Sequence, residues 1–280
     1  MASENPVNAK FSDVTLACGD VSQLTQKQLF DVRGKHALVT GGSSGISLFV
    51  AATLVANGAN VCIASRSLKV CQRVASQLDC DYVAVDLTDD EACTRIVDYL
   101  CTELHWPCLD ILVNNSGTTW AAPLEEYPAE AFRKVLELNV TAVFRLTVAC
   151  VPMLRMASAP CILNVGSVDG TRITEHEHYA YSASKAAVHQ MTRILANRLT
   201  KGDHTPIRVN AILPGPFPSR MMRATLEQAG DIIEQSLPLR RVGQASDIAG
   251  AVLYLCSSAS SYVTGILLPV DGGALVRSAL

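Results

Sequence analysis

Residues 40–47 read TGGSSGIS and join a short apolar run at 37–39 to a helical pattern from about Ile46 to Asn57. Glycine and serine at a strand-to-helix turn let the backbone approach a pyrophosphate, whose charge then meets the helix N-terminus. We therefore expect Gly41, Ser43, Ser44 and Ile46 to contact a dinucleotide. A plain surface loop remains the alternative, because such a turn alone is weak evidence.

Working outward from this turn, short apolar runs alternate with helical patterns along the chain. Strands are predicted at 37–39, 61–64, 82–85, 111–113, 161–165, 208–212 and 266–270, with helices between them that include 67–78 and about 89–104. Apolar strands separated by helices indicate βαβ units and a parallel sheet buried on both faces. The pattern predicts an α/β fold: a single doubly wound Rossmann-type domain with a seven-stranded parallel sheet. We assign it to residues 35–280 and interpret the polar residues 1–34 as an N-terminal extension.

Composition excludes several other classes of protein. The chain has 280 residues, a net charge of −3 and 49% hydrophobic residues, which suits a folded core and argues against disorder. Lys and Arg form no basic stripe, so we expect no nucleic-acid partner. The apolar run from Leu48 to Val55 is too short to span a bilayer, and we expect no membrane association.

The ten cysteines follow no zinc-binding or disulfide pattern. With no CxxC and no paired Cys/His spacing, the sequence predicts no metal site. Cys62 and Cys161 lie within apolar strands, where reduced cysteine acts as a small hydrophobic residue. The first 30 residues resemble neither a signal peptide nor a transit peptide, and the C-terminal tripeptide lacks a basic middle residue. A cytoplasmic location is therefore expected.

The end of the second predicted strand bears on the choice of cofactor. An enzyme that prefers NAD usually has a carboxylate there to bind the ribose 2′-hydroxyl. Here Ser65 carries no charge and Arg66 can pair with a 2′-phosphate, which favours NADP(H). Arg66 on an ordinary solvated turn is the alternative. Asp86 and Leu87 follow the third strand and are suited to the adenine edge.

Tyr181 and Lys185 stand four residues apart in a helical stretch, so their side chains share one face. A nearby ammonium group favours the phenolate, so we expect the pKa of Tyr181 to lie below its usual value near ~10. Such a phenol can donate and accept a proton. The spacing is common by chance and is also compatible with an ordinary amphipathic helix.

Each of these motifs alone is weak evidence, but several of them in the expected order along the chain are specific. They are Thr40-Gly41-x-x-x-Gly45-Ile46, Asn114-Asn115-Ser116-Gly117, Asn139, Ser167, Tyr181-x-x-x-Lys185 and Pro214-Gly215. From about Lys35 to Gly273 the chain resembles the short-chain dehydrogenase/reductase family. The stretches at 109–120 (LDILVNNSGTTW), 214–221 (PGPFPSRM) and 269–273 (PVDGG) are similar to a beta-ketoacyl reductase subgroup typified by the rhamnolipid-pathway reductase.

The resemblance implies a role for each matching position. Tyr181 would be the general acid that protonates the carbonyl oxygen, and Lys185 would bind the nicotinamide ribose and keep the phenol acidic. Ser167 would orient the substrate carbonyl, and Asn139 would hold a water that links Lys185 to solvent. Two further sets complete the cofactor site: Asn115 and Gly117 under the adenine ribose, and Pro214, Phe217 (by its backbone) and Ser219 at the nicotinamide.

Two positions depart from the family pattern. Ser47 replaces the third glycine of the turn, where we expect slight crowding of the cofactor rather than lost binding. Ser116 stands where alanine is usual and adds one hydroxyl. Neither change removes a catalytic group.

Some residues leave alternatives open. His176 and His178 are interpreted as exposed loop residues, with substrate contact as the alternative. Trp120 fits either a pocket wall or the core. By resemblance, the stretch from Met221 and Met222 to about Leu237 would cover the substrate. Arg220 and Arg223 there are attributed to solubility, with attraction of an acidic carrier or thioester as the alternative.

The leading hypothesis is an NADPH-dependent reductase that converts a ketone or beta-ketoacyl thioester to an alcohol, as a homotetramer or homodimer in secondary metabolism. The second is an NAD(P)-linked alcohol dehydrogenase working in the oxidative direction, because the same residues serve both directions. The third is a non-redox binding protein, isomerase or cyclase on the same fold.

Overall fold

A single parallel sheet organises the chain in the computed structural model, which describes residues 24–174, 176–219 and 222–276. The sheet has seven strands in the order β3-β2-β1-β4-β5-β6-β7, and every pair is parallel. The strands are β1 His36–Thr40, β2 Asn60–Ser65, β3 Asp81–Ala84, β4 Ile111–Asn114, β5 Cys161–Val165, β6 Arg208–Pro214 and β7 Leu267–Val270. The predicted doubly wound Rossmann-type fold is confirmed.

Helices connect the strands and cover both faces of the sheet. The α-helices are α1 Gln26–Leu29, α2 Gly45–Ala56, α3 Leu68–Leu78, α4 Ala92–Asp98, α5 Ala129–Leu136, α6 Ala142–Arg155, α7 Tyr179–Arg198, α8 Arg223–Ser236 and α9 Ala245–Cys256. Two π-helical segments, Tyr99–Glu103 and Glu137–Thr141, continue α4 and join α5 to α6. Short 3₁₀ turns lie at Leu124–Glu126, Val168–Gly170 and Ser258–Ser260.

Alternation along each strand sends neighbouring side chains into two separate cores. Leu38 and Leu112 lie in one core cluster, whereas the adjacent Val39 and Val113 lie in the other. Successive strand side chains point to opposite faces, so a sheet with helices on both sides needs apolar residues at every position. This explains why the strands read as continuous apolar runs.

The predicted boundaries differ from the structure at a few ends. β3 stops at Ala84 rather than Val85, although the Val85 amide still donates to Ser65 O at 2.9 Å. The helix predicted from about residue 89 begins at Ala92. The reason is a turn in which the Asp89 carboxylate accepts from the Glu91 amide at 3.0 Å and so holds residues 89–91 outside the helix.

Helices α5 and α6 form one continuous helix of 27 residues, Ala129–Arg155. An 18-residue window of it has a mean hydropathy of 1.5, so by length and composition alone it could cross a membrane. It is longer than the apolar run from Leu48 to Val55. Its residues Leu146, Cys150 and Leu154 are fully buried in the same cluster as strand residues. That packing is what a core helix of a layered α/β domain shows.

The described part of the N-terminal extension, residues 24–34, packs against the domain. Val32 is buried in a core cluster, and the Ser258 hydroxyl donates to Leu29 O at 2.9 Å. The Gly34 amide donates to Gly58 O at 2.8 Å. Residues 1–23 lie outside the described residues, so the division of the chain at residue 34 stays a prediction.

Candidate active site

The predicted site residues follow the carboxyl ends of neighbouring strands at one edge of the sheet. Because β1, β4, β5 and β6 are adjacent, the loops after them meet there. The Thr40 hydroxyl ties two of these loops together. It accepts from the amides of Asn115 at 3.0 Å and Ser116 at 3.1 Å, and it donates to Val113 O at 3.2 Å.

The glycine-rich turn has the backbone shape that glycine permits. Gly41 and Gly45 have φ values of +70° and +59°, a region that other residues rarely adopt. A Cβ on Gly41 would come within 3.3 Å of both Asn115 Nδ2 and Ser47 Oγ. The turn is therefore closely packed from behind and presents its backbone outward.

Ser47 does not crowd the turn in the way the sequence suggested. Its hydroxyl lies 2.6 Å from Gly41 O and accepts from Asn115 Nδ2 at 2.7 Å. The side chain is buried and points toward the β4 loop, so its polar atoms are satisfied there. The expected crowding is corrected to a hydrogen-bonded link between the two loops.

Ser43 and Ser65 meet at the end of β2, and Arg66 is the next residue along the chain. The Ser43 hydroxyl donates to the Ser65 hydroxyl at 2.9 Å, and Arg66 is exposed. Among the described residues, no carboxylate oxygen lies within 4.0 Å of the Arg66 guanidinium group. Two neutral hydroxyls and an uncommitted guanidinium make a suitable pocket for a phosphate.

The two residues predicted for the adenine edge are placed differently from each other. One carboxylate oxygen of Asp86 is already used in hydrogen bonds, because it accepts from the Thr88 amide and hydroxyl. The Leu87 side chain is buried in a core cluster, and its carbonyl accepts from Arg145 at 2.9 Å. Leu87 can therefore contact a ligand only through its backbone.

Gly117, which follows β4, lies against Asn139. A Cβ on Gly117 would come within 3.2 Å of Asn139 Oδ1, so this close approach favours glycine. Asn139 accepts from the Thr118 amide at 2.8 Å and donates to the Ser184 hydroxyl at 2.9 Å. Through these bonds the side chain joins the β4 loop to α7. The water link between Asn139 and Lys185 stays a prediction. The π-helical segment that contains Asn139 is of a kind often found at functional sites.

Ser167 begins the turn after β5 and is held on two sides. Its hydroxyl accepts from the Asp169 amide at 3.1 Å, and its own amide donates to His189 Nε2 at 3.4 Å. Burial, Lys185 and Arg193 lower the pKa of His189 to about 4, so the ring is neutral near pH 7 and can accept this bond. His189 therefore positions the backbone that carries Ser167.

Tyr181 and Lys185 lie on the first turns of α7, as predicted, with the Lys185 Nζ 5.6 Å from the centre of the Tyr181 ring. The Lys185 ammonium donates to Val165 O at 2.8 Å. Burial lowers the pKa of Lys185 to about 8.

The expected direction of the Tyr181 shift is wrong for the protein without cofactor. Burial, with Asp169 nearby, raises the pKa of Tyr181 to about 12, while the neighbouring Ser167 acts in the opposite direction. Removing the phenol from water penalises the phenolate more than the cation stabilises it, because the ammonium points to a backbone carbonyl. The phenol is thus protonated near neutral pH.

His178 lies against Tyr181, whereas His176 is exposed as interpreted. The His178 and Tyr181 rings meet edge to face with centres 5.4 Å apart. His178 Nε2 lies 3.5 Å from Asp169 Oδ2, and burial lowers the pKa of His178. The interpretation of His178 as an exposed loop residue is therefore corrected.

The loop after β6 closes the site from the other side. A Cβ on Gly45 would lie 3.5 Å from Ser219 Cβ, so Ser219 faces the glycine-rich turn. The Phe217 ring is buried against Gly243, so only its backbone remains for the predicted contact with a cofactor. Pro214 is the last residue of β6.

The predicted substrate cover is described in part. Helix α8 runs over Arg223–Ser236 with a kink at Ala229, and Arg223 is exposed. Arg220 and Met221 lie outside the described residues. Trp120 is 48% exposed, which rules out a core position and leaves the pocket wall as the alternative.

Sequence reasoning missed several residues that hold this site in place. They are Thr118, Asp169, Ser184 and His189. His189 had a detectable signal, because it stands four residues after Lys185 and eight after Tyr181 on the same helix. The others are ordinary polar residues whose partners come from distant parts of the chain.

These residues fit a dinucleotide that carries a 2′-phosphate. The turn offers backbone at the N-terminus of α2, the tight Gly41 packing leaves no side chain in the way, and Arg66 can meet the phosphate. Such a layout, with the Tyr181 and Lys185 pair beside it, defines a nucleotide-dependent α/β oxidoreductase.

Comparison with known proteins identifies the family. The family model for enoyl-(acyl carrier protein) reductase matches residues 41–274. The rhamnolipids biosynthesis 3-oxoacyl-[acyl-carrier-protein] reductase of Pseudomonas aeruginosa is 41% identical over 254 residues, covering 87% of this chain and 97% of that protein. The chain therefore belongs to the short-chain dehydrogenase/reductase family of oxidoreductases.

Two further relatives extend this comparison. A solved structure, the Pseudomonas aeruginosa RhlG/NADP active-site complex, has a TM-score of 0.83 and 39% identity, covering 88% of this chain and 98% of that one. The 3alpha-hydroxysteroid dehydrogenase of Mediterraneibacter gnavus is 34% identical over 250 residues, covering 87% of this chain and 98% of that protein. The family resemblance of the motifs is thereby confirmed.

Proposed function

We propose that this protein is an NADPH-dependent reductase that converts a carbonyl to an alcohol, with a ketone or a 3-oxoacyl thioester as substrate. The observation that carries the proposal is the partly buried Tyr181, whose ring centre lies 5.6 Å from Lys185 Nζ, with Ser167 as a neighbour. Reduction of a carbonyl needs a proton donor at the oxygen where negative charge grows. These side chains share the sheet edge with the glycine-rich turn.

The cofactor assignment rests on the residues around the turn. Gly41, Ser43, Ser44 and Ile46 would hold the pyrophosphate at the start of α2, and the pocket of Ser65 and Arg66 would hold the 2′-phosphate. Asp86 and the Leu87 backbone would lie at the adenine, Asn115 and Gly117 at its ribose. The bound NADPH supplies the hydride. Pro214, Phe217 and Ser219 would cover its nicotinamide.

The protein's own groups handle the proton. Tyr181 donates its phenolic proton to the substrate oxygen, and the nearby Lys185 ammonium stabilises the phenolate that remains. Ser167 orients the carbonyl through its hydroxyl, because the amide of the same residue is held by His189. Asn139 aligns α7 with the β4 loop, and we assign to it the ordering of a water between Lys185 and solvent.

The substrate class is supported by the similarity to the Pseudomonas aeruginosa 3-oxoacyl reductase. The similarity to a 3alpha-hydroxysteroid dehydrogenase supports the oxidative direction as the second candidate, since the same groups run in reverse. A non-redox role on this fold is the third and has no supporting contact in the site. We place the enzyme in the cytoplasm and in secondary metabolism.

We also propose that the enzyme works as a homotetramer or homodimer. Phe144 and Val148 of α6 are about half exposed and form an apolar strip on the outer side of that helix. A second copy of this chain would cover them. Light scattering on the purified protein tests this, and a monomer at micromolar concentration would refute it.

The test of the activity measures the absorbance of NADPH. Its loss is followed with 3-oxoacyl thioesters, simple ketones and enoyl thioesters, and its formation from NADP is followed with hydroxysteroids. We expect NADPH consumption with at least one carbonyl substrate. The Tyr181→Phe variant should lose about 10²–10⁴-fold in kcat while still binding NADPH by fluorescence titration. Consumption with enoyl thioesters alone, or full turnover in the variant, would overturn the proposal.

A further inference from the structure

Three side chains of metal-ligating type meet at the edge of the sheet opposite the active site. His36 is the first residue of β1, while Cys108 and Asp110 immediately precede β4. β1 has five residues, so at about 3.3 Å per residue the cluster lies roughly 16 Å from the glycine-rich turn. None of the three residues takes part in the proposed redox reaction.

The distances among the three ligand atoms are close to those of a zinc site. Asp110 Oδ2 lies 3.7 Å from His36 Nδ1 and 3.8 Å from Cys108 Sγ, and all three atoms lie within 4.8 Å of one another. Tetrahedral zinc with its usual bond lengths separates such ligand atoms by about 3.3–3.6 Å. A rotation of the Cys108 side chain, which is partly exposed, can supply the small remaining contraction.

The backbone holds this cluster on rigid elements. The His36 amide donates to Asp110 Oδ2 at 2.9 Å, and the Asp110 amide donates to His36 O at 2.9 Å. The Cys161 amide donates to Asp110 O at 2.8 Å, so Asp110 is held from both sides. The Trp106 ring lies against the imidazole with ring centres 4.9 Å apart and limits its orientation. Ligands fixed in this way lose little freedom on binding a metal.

One ligand atom in the cluster lacks a partner. His36 Nδ1 is buried, and it neither accepts nor donates a hydrogen bond among the described residues. A buried nitrogen without a partner is unfavourable, and a bound cation would satisfy it. The His36 and Asp110 side chains are 18% and 15% exposed, so an ion and a water molecule can reach them.

We propose that His36, Cys108 and Asp110 bind one Zn²⁺ ion, with water as the fourth ligand. Nitrogen, sulfur and carboxylate oxygen are the donors that zinc prefers. The Cys108 thiol releases its proton to solvent on binding, and the thiolate with the carboxylate of Asp110 then balances the charge of the ion. The sequence predicted no metal site because His36 is 72 residues from Cys108, a spacing that no zinc motif has.

The bound ion joins the amino ends of β1 and β4, which are neighbours in the sheet. It therefore stabilises the fold rather than takes part in the redox reaction. Saturating Zn²⁺ should raise the melting temperature of the metal-free protein by at least about 2 °C. NADPH oxidation by the proposed reaction should not require the ion.

The test titrates the dialysed, metal-free full-length protein with Co²⁺ and then with Zn²⁺. We expect one equivalent of Co²⁺ to give a thiolate-to-cobalt charge-transfer band that one equivalent of Zn²⁺ removes. In a Trp120→Phe background, Trp106 is the single tryptophan, and its fluorescence should change with the same stoichiometry. These readouts do not depend on turnover, so failure of the redox proposal and failure of the zinc proposal are distinguishable.

Three variants decide the outcome. Cys108→Ser and His36→Gln should each weaken Zn²⁺ binding by more than about 100-fold, since loss of a ligand exceeds the effect of an outer contact. Cys101→Ser is the matched control, because Cys101 is an exposed cysteine on the π-helical segment Tyr99–Glu103. Circular dichroism checks the folding of each variant. No binding at one equivalent, or unchanged binding in a folded Cys108→Ser or His36→Gln protein, refutes the site.

Discussion

The Lys185 ammonium group lies 5.6 Å from the centre of the Tyr181 ring but donates its hydrogen bond to Val165 O at 2.8 Å. The cation is thus stabilised by a strand carbonyl, while the phenol remains protonated. A neutral phenol with a cation close by is the state from which a proton is donated to a carbonyl oxygen.

Burial of Lys185 makes the stability of the cofactor-free protein depend on alkaline pH. Its pKa falls from 10.5 to about 8 on folding, so the unfolded chain binds more protons between these values. Below pH 8 the free energy of unfolding should be reduced by the full cost of burying the charged Lys185 ammonium group. Between pH 8 and 10.5 it should rise by up to about 3 kcal/mol.

Urea unfolding at several pH values measures this effect. The comparison is with Lys185→Met, which has no group to titrate at that position. The difference in stability between wild type and variant should shift in favour of the wild type as pH increases. A difference that stays constant from pH 7.5 to 10 would contradict a buried, perturbed ammonium group.

Arg66 should decide the preference between the two nicotinamide cofactors. Arg66→Ala removes the exposed guanidinium group of the residue that follows Ser65, which would meet the 2′-phosphate. Charge-assisted hydrogen bonds of about 1.5–3 kcal/mol correspond to a KM for NADPH about 10- to 100-fold higher. The KM for NADH should change little, and steady-state kinetics with both cofactors measures the ratio.

Arg73→Ala is the control for Arg66, because Arg73 is an exposed arginine on the next helix, Leu68–Leu78. It should leave both KM values unchanged. Equal losses for NADPH and NADH in Arg66→Ala would show that the side chain does not recognise the 2′-phosphate.

Ser47 should stabilise the cofactor turn through its hydroxyl. Ser47→Ala leaves Asn115 Nδ2 without this acceptor and frees Gly41 O, in a buried position. An unsatisfied buried polar group costs about 1–3 kcal/mol, so the free energy of unfolding should fall by that amount and NADPH binding should weaken.

Thr53→Ala on the same helix is the matched control. Its hydroxyl donates only to Phe49 O, at 2.7 Å within its own helix, so stability should change by less than in Ser47→Ala. Tighter NADPH binding in Ser47→Ala would instead support crowding by the serine.

His189 should make the fold sensitive to acid. Its pKa falls from 6.5 to about 4 through burial, Lys185 and Arg193, so between these values only the unfolded chain takes up the proton. Stability present above pH 6.5 should be lost as pH falls toward 4. Urea midpoints at pH 7, 5.5 and 4.5 measure this loss.

His189→Gln should flatten this dependence and also lower kcat more than it raises KM, because the Ser167 backbone loses its partner. His204→Gln is the control, since His204 lies exposed in a loop. An unchanged acid dependence in His189→Gln would show that another group governs it.

Much of the site could be predicted because its residues follow strands that are visible as apolar runs. A parallel sheet brings the carboxyl ends of its strands to one edge, and the strand order found in the structure makes β1, β4, β5 and β6 neighbours, so Gly41, Asn115, Ser167 and Pro214 lie at the same edge. The placement of Tyr181 and Lys185 on one helix face could be predicted from the helical period alone, because that period is a local property of the sequence.

Other features could not be read from the sequence because they depend on burial and on distant partners. The pKa of Tyr181 rises since the side chain is enclosed, a property of the folded surroundings and not of the i, i+4 spacing. The position of His178 against Tyr181 depends on the conformation of the loop that precedes α7. The Ser47 hydroxyl accepts a hydrogen bond from Asn115, which is 68 residues away in the chain.

The amino-acid sequence by itself determined the doubly wound fold, the cofactor edge and the order of the candidate catalytic residues, because strand burial and helical spacing are local patterns. Only the tertiary structure decided which groups are charged, which hydroxyls are satisfied and which side chains meet at the opposite edge of the sheet. Charge and hydrogen bonding depend on solvent exclusion and on contacts between residues far apart in the chain, such as His36 and Asp110.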